Sequence, residues 1–350
     1  MTAATRSAAG RRNLPLARRA FPLAVMLVLV AVLLGAAAIA ASIGPAKISL
    51  GRIAAALFAN DPLTVNRDQI ILMTIRLPRI VMSSIVGALL AGAGAVMQGL
   101  FRNPLADPGL VGVSSGAGLA AAAAIVAGDK AAPFLLASAP FLLPLAAFGG
   151  ALATTALLYR LAIWQGRTSI ATMLLAGLAL GALAGAGTGL LVFLADDRQL
   201  RDITFWMLGL LAGATWQKIA VIVPVLALLL VLFPLVGRGL DLLALGETEA
   251  FHTGVSVERL KRSLIVLVAA AVGAAVSVSG VIGFVGIIVP HLLRLVVGPG
   301  HRLLLPASAC GGAILLLLAD TFARTIAAPA ELPIGIVTAL IGAPFFLFCC

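Results

Sequence analysis

Few residues in this chain could do chemistry, and their spacing argues against most kinds of it. The three histidines, His252, His291 and His301, fall in separate segments and make no metal-ligand spacing. Cys310 sits inside an apolar run, and Cys349 and Cys350 are adjacent at the last two positions. None belongs to a CxxC pair, and cysteine as a small apolar filler accounts for all three. No lysine follows a glycine, so a GxxxxGK[ST] phosphate loop cannot occur and ATP hydrolysis would have to come from another chain. No catalytic residue, metal site or cofactor is expected, so the chain is not expected to be an enzyme.

The acidic residues carry the same message. A permease driven by protons or sodium usually keeps a carboxylate deep in a membrane span. Here the centres of the long apolar runs hold no Asp, Glu, Lys or Arg, and Asp320, at the end of its run, comes nearest. That pattern argues against a secondary transporter and against an intramembrane hydrolase.

What must position the remaining polar residues is a bundle of membrane helices. The 350 residues are 62% hydrophobic and 11% charged, where a soluble domain carries roughly 25% charge. Cutting at charged residues leaves apolar runs at 20–46, 80–101, 108–128, 131–159, 168–195, 219–237, 263–293, 303–319 and 332–350. A spanning helix needs about 20 such residues. The run 263–293, extended to Gly298, holds two helices around the break Ser277-Val-Ser-Gly280. The expectation is an all-α polytopic membrane protein of about ten transmembrane helices. It is read as a single domain over 1–350, because the polar connections 43–79, 196–218 and 237–262 are too short for a core of their own. The first run is longer than a signal-peptide core, which favours a retained helix.

Formal charge is +11, but it flanks the membrane runs and forms no compact basic domain, which speaks against nucleic acid. Five arginines precede the first run, at 6, 11, 12, 18 and 19. They place the tail 1–20 in the cytoplasm by the positive-inside rule. With ten spans both termini, and the segment 237–262, then face the cytoplasm.

Local chemistry marks the connections. Arg76-Leu-Pro-Arg79 reads as rigid punctuation before the run 80–101. Asn103-Pro104 and Asp107-Pro108 reverse the chain after it, since helices avoid the residue before proline. Gly177, Gly181, Gly185 and Gly189 recur every four residues. Such a strip serves either close packing against a neighbour or a pathway that must leave room. Trp206 suits an interfacial helix over about 200–208 on the outer face. In 237–262 two short helices are expected, broken at Gly246: one carrying Leu240 to Leu245, one over Glu247 to His252. Gly254 ends the second and Ser256 caps the next span. Apolar residues on an aqueous face suggest docking to another protein. Pro290 is expected to kink its span.

Along nearly its whole length the chain resembles permease subunits of the iron-siderophore, heme and vitamin B12 importers, the type II ABC importers. The matching stretches are Arg76-Leu-Pro-Arg79, Gly94-Ala-Val-Met-Gln98, Asn103-Pro-Leu-Ala-Asp-Pro-Gly109, Leu175-Ala-Gly-Leu-Ala-Leu-Gly181, Trp206-Met-Leu-Gly209, Gly283-Phe-Val-Gly286, Pro290-His-Leu-Leu-Arg294, Glu331-Leu-Pro-Ile-Gly335 and Gly342-Ala-Pro-Phe345. The resemblance implies the type II permease fold, with ten helices per subunit. It implies a second copy of the chain, two cytoplasmic ATPase subunits and a periplasmic substrate-binding protein in a bacterial inner membrane.

By the same resemblance Arg76, Arg79 and Arg324 would meet acidic residues of the binding protein at the outer rim. Gly246, Glu247, Ala250 and Gly254 would lie in the ATPase-docking loop, and the helix bearing the glycine strip would line the pathway. The stretches 103–116 and 322–331 look most like heme permeases, with ferric siderophore and corrinoid permeases as the alternatives in the family.

Overall fold

The computed structural model describes residues 14–44, 51, 67–128, 139–164, 167–328 and 330–349. The first part of the basic tail, much of the connection 43–79, Pro329 and Cys350 lie outside the described residues. The chain forms α1 (Leu14–Ser42), α2 (Arg67–Phe101), α3 (Val113–Gly128), α4 (Ala139–Ala162), α5 (Ile170–Leu194) and α6 (Asp197–Met207). It continues with α7 (Trp216–Leu245), α8 (Glu247–His252), α9 (Val257–Ser279), α10 (Val285–Val297), α11 (His301–Ile326) and α12 (Ile334–Cys349). A two-residue antiparallel hairpin, β1 (Ile163–Trp164) and β2 (Arg167–Thr168), joins α4 to α5, with Ile163 opposite Thr168. Among the described residues, seven helices are long and apolar enough to cross a membrane, and α3, α10 and α12 are shorter apolar helices. Together they correspond to the ten expected spans.

Helix α2 begins earlier than the sequence suggests. The Arg76–Arg79 stretch does not break it: residues Ile71–Arg76 form a wider π turn, and Leu77 N–H donates to Leu72 O, five residues back. Pro78 has no N–H, and its ring would crowd the carbonyl four residues earlier, so the wider turn lets the helix pass. The reversal after α2 is as expected. Arg102 takes a left-handed conformation, Asn103 Oδ1 accepts from Leu105 N–H at 2.9 Å and Asp107 Oδ1 accepts from Gly109 N–H at 2.5 Å.

Helix α2 lies at the centre of the bundle, against α11, α9, α7 and α10. Glycine makes two of these approaches possible. A Cβ on Gly87 would lie 2.1 Å from Gly312 O, and one on Gly94 would lie 2.0 Å from Gly286 O. Gln98, one turn on, donates to Gly286 O and Ile287 O at 3.3 Å each. Without water in the bilayer, association depends on such close van der Waals packing.

Two local expectations need correction. The residues Leu240 to Leu245 do not form a separate short helix but complete α7, which ends at Gly246. Ser256 precedes α9 without a side-chain capping bond. Arg324 sits in the last turn of α11. The break between α9 and α10 falls where it was expected: Gly280 has φ +68°, and a Cβ there would lie 2.0 Å from Trp206 O. Helix α6, expected at the interface, starts at Asp197. Asp196 caps it, accepting from Gln199 N–H at 2.8 Å, while Gln199 Oε1 accepts from Asp196 N–H at 3.2 Å.

Candidate functional site

At the end of the bundle where α2 starts and α11 finishes, the structure brings Arg76, Arg79 and Arg324 together. Arg79 Nε and Nη2 make a fork onto Asp320, with the Nη2–Oδ1 distance 2.9 Å, and its Nη1 donates to Glu331 Oε1 at 2.8 Å. Arg76 Nη1 donates to Ala41 O, and Arg324 Nη2 to Ala40 O, at the end of α1. All three are less than a tenth exposed. The exposed rim charges of the sequence reading are therefore largely turned inward, because α2 and α11 pack face to face and offer a carboxylate and helix-end carbonyls that satisfy guanidinium groups. Glu331, two-fifths exposed, is the open side of the cluster. Asp320, the acid nearest a span centre, is committed to Arg79, as a proton- or sodium-carrying carboxylate would not be.

The opposite end carries the short helix α8. Gly246 and Gly254 bracket it with φ values of +131° and +87°, which only glycine adopts readily. Ala250 is fully buried against the chain's own body. Its side chain faces the body in this conformation; the exposed residues at and beside α8 include Leu245, Thr248, Glu249, Phe251 and His252, with Phe251 69% exposed. Sequence reading missed Phe251, although a phenylalanine in a charged aqueous loop was the available signal.

Glu247 turns sideways from α8 and meets Lys261 Nζ at 2.8 Å. Lys261, on α9, is 2% exposed. It also donates to Thr168 O at 3.1 Å and Glu258 Oε1 at 3.4 Å. Glu258 Oε2 accepts from Thr168 N–H at 3.0 Å and Thr168 Oγ1 at 2.7 Å. The i,i+3 spacing of Glu258 and Lys261 was legible in the sequence; the hairpin partner was not. Nearby, His301 N–H donates to Asp241 Oδ1 at 2.8 Å and its Nδ1 lies 2.7 Å from the same oxygen, tying the end of α7 to the start of α11. No cluster of metal-ligating side chains occurs among the described residues.

The glycine strip of α5 is open. Gly177 is buried, but a Cβ at Gly185 or Gly189 would meet nothing within 4 Å, and at Gly181 only Ser115 Oγ at 3.5 Å. Leu178, Leu183 and Phe193 on the same helix are each about 70% exposed or more. Close packing of the Gly185–Gly189 part of the strip against this chain's own helices is therefore excluded.

Comparison with known proteins agrees with this architecture. The profile of the FecCD transport family matches residues 26–350. The hemin transport system permease protein HmuU of Yersinia pestis is 48% identical over 276 residues, covering 79% of this chain and 81% of that protein. The cobalamin import system permease protein BtuC of Halobacterium salinarum is 47% identical over 280 residues, 80% of this chain and 73% of that protein. The vitamin B12 import system permease protein BtuC of Vibrio vulnificus is 42% identical over 280 residues, 79% and 82%. Among solved structures, a metal-chelate-type ABC transporter in an inward-facing conformation superposes with a TM-score of 0.81 at 34% identity, covering 93% of this chain and 99% of that one.

Proposed function

From the premise that the chain belongs to the FecCD transport family of ABC importer permeases, we propose that it moves heme from the periplasm to the cytoplasm. It works as a homodimer with two cytoplasmic ATPase subunits and a periplasmic binding protein. The observation that carries the heme reading is the 48% identity to a hemin permease, joined to the heme-permease character of residues 103–116 and 322–331. A corrinoid is the second reading, since the cobalamin relative stands at 47%; a ferric siderophore is the third.

In this reading the chain is one transmembrane domain in the bacterial inner membrane, with both termini and 237–262 in the cytoplasm and α6 on the periplasmic face. The ATPase would seat on α8. Gly246 and Gly254 set that helix off from α7 and α9, Ala250 seats it on the body, Glu247 holds its side, and Leu245 and Phe251 make the contact. The binding protein would dock over Arg76, Arg79 and Arg324, its carboxylates sharing or replacing Glu331 at Arg79. The open face of α5, with Gly181, Gly185 and Gly189, would meet the second copy or the passing substrate.

The test is ATPase activity of the reconstituted complex with its binding protein, apo or loaded with hemin, cobalamin or a ferric siderophore. Stimulation by the hemin-loaded form above the other two is expected. Stimulation by cobalamin or the siderophore without any by hemin overturns the heme reading.

A further inference from the structure

Lys261 is a cation almost wholly removed from solvent, 2% exposed, and each of its three oxygen partners belongs to a different element. Glu247 starts α8, Glu258 starts α9, and Thr168 closes the β1–β2 hairpin. Thr168 is locked a second time, because its N–H and Oγ1 both donate to Glu258 Oε2. The next residue, Ser169, caps α5, accepting from Thr172 N–H at 3.3 Å. The foot of the glycine-strip helix is thus one residue from a buried charge whose other arm holds α8.

We infer that Lys261 is a positioning residue that makes α8, the first turn of α9 and the foot of α5 move as one body. An ammonium buried in this way is tolerable only while its oxygens stay in place. Displacing α8 by a few ångströms without its neighbours would leave Lys261 short of Glu247. The low-cost motion carries Lys261 along, and with it Thr168 and the α5 N-terminus. The link is a set of directed, charge-assisted bonds, so a push or pull on α8 reaches α5 through the hairpin as well as along the chain through α9. The transport consequence rests on the reading of α8 as the ATPase seat; the mechanical one does not.

Two variants separate these claims. Glu247→Gln keeps shape and cuts the charged arm to α8; Lys261→Met keeps length and removes the whole joint. In the purified full chain, Glu247→Gln should raise amide hydrogen exchange about threefold or more in 247–252 and in 163–170 together. A rise confined to 247–252 overturns the inference. In the complex with its copurifying ATPase, Lys261→Met should leave ATP hydrolysis within about twofold while hemin uptake per ATP falls about tenfold, the size of effect a coupling network carries. Unchanged uptake per ATP overturns the joint's role in transport. Loss of the seat itself is read separately: if Phe251→Glu leaves ATPase copurification intact, the docking reading falls, while the exchange result on the free chain still decides the joint.

Discussion

Arg79 and Asp320 stand 241 positions apart and close a buried fork, Nη2 to Oδ1 at 2.9 Å. The pair clamps α2 to α11 about two turns from the point where their backbones touch at Gly87 and Gly312. Two charges held this way need each other more than they need the protein to be charged. Removing Asp320 leaves the buried Arg79 with only the two-fifths-exposed Glu331, whereas replacing both members of the fork can be nearly neutral.

Asp320→Asn should therefore destabilise the detergent-solubilised chain by about 3 kcal/mol. The double variant Arg79→Met with Asp320→Leu should recover more than half of that loss. Unfolding free energies of the three proteins in a denaturant titration check it. Equal losses for the single and the double variant would show that the clamp is not the source of the effect.

Gly94→Ala and Gly185→Leu should part company. The first places a Cβ 2.0 Å from Gly286 O in the middle of the bundle, and should abolish a monodisperse, folded chain. The second puts its Cβ where nothing lies within 4 Å in the single chain. It should leave the fold intact and lower dimer recovery or hemin uptake about tenfold, since about 1.4 kcal/mol across one contact suffices. Size-exclusion profiles and uptake in proteoliposomes are the readouts.

Phe251→Glu should abolish copurification of the ATPase while leaving expression and thermal stability of the chain unchanged, because that ring is 69% exposed and has little of its own fold to support. A buried interface aromatic typically carries about 2 kcal/mol or more of binding. Ala250→Arg should instead destabilise the chain itself, as it overfills a fully buried site.

Orientation is checked with single cysteines in a cysteine-free background. Thr248→Cys, on exposed α8, should react with an impermeant maleimide only from the cytoplasmic side. Arg198→Cys, on exposed α6, should react only from the periplasmic side. Labelling of Thr248→Cys in intact cells sinks the assigned topology and with it the placement of the ATPase seat.

What the sequence determined by itself follows from properties local to the chain. Apolar length set ten spans, X-Pro steps at 103–104 and 107–108 set the reversal before α3, and Gly246 and Gly254 set the bounds of α8. Each depends only on residues a few positions apart, whose backbone preferences and hydration act before any packing. The tertiary structure decided which way the polar residues of those segments turn. Arg76, Arg79 and Arg324 read from sequence as outer-rim charges; only when α2 meets α11 and the end of α1 do helix-end carbonyls and Asp320 become their partners. Ala250 and Phe251 are neighbours on one six-residue helix, and only the packing of that helix on the body buries one and bares the other. The Lys261 joint joins residues from 168 to 261 by side-chain bonds with no local signature beyond a Glu258–Lys261 spacing. A charge in a membrane protein must find its counterpart wherever the fold brings one within about 3 Å, and chain order does not encode that distance.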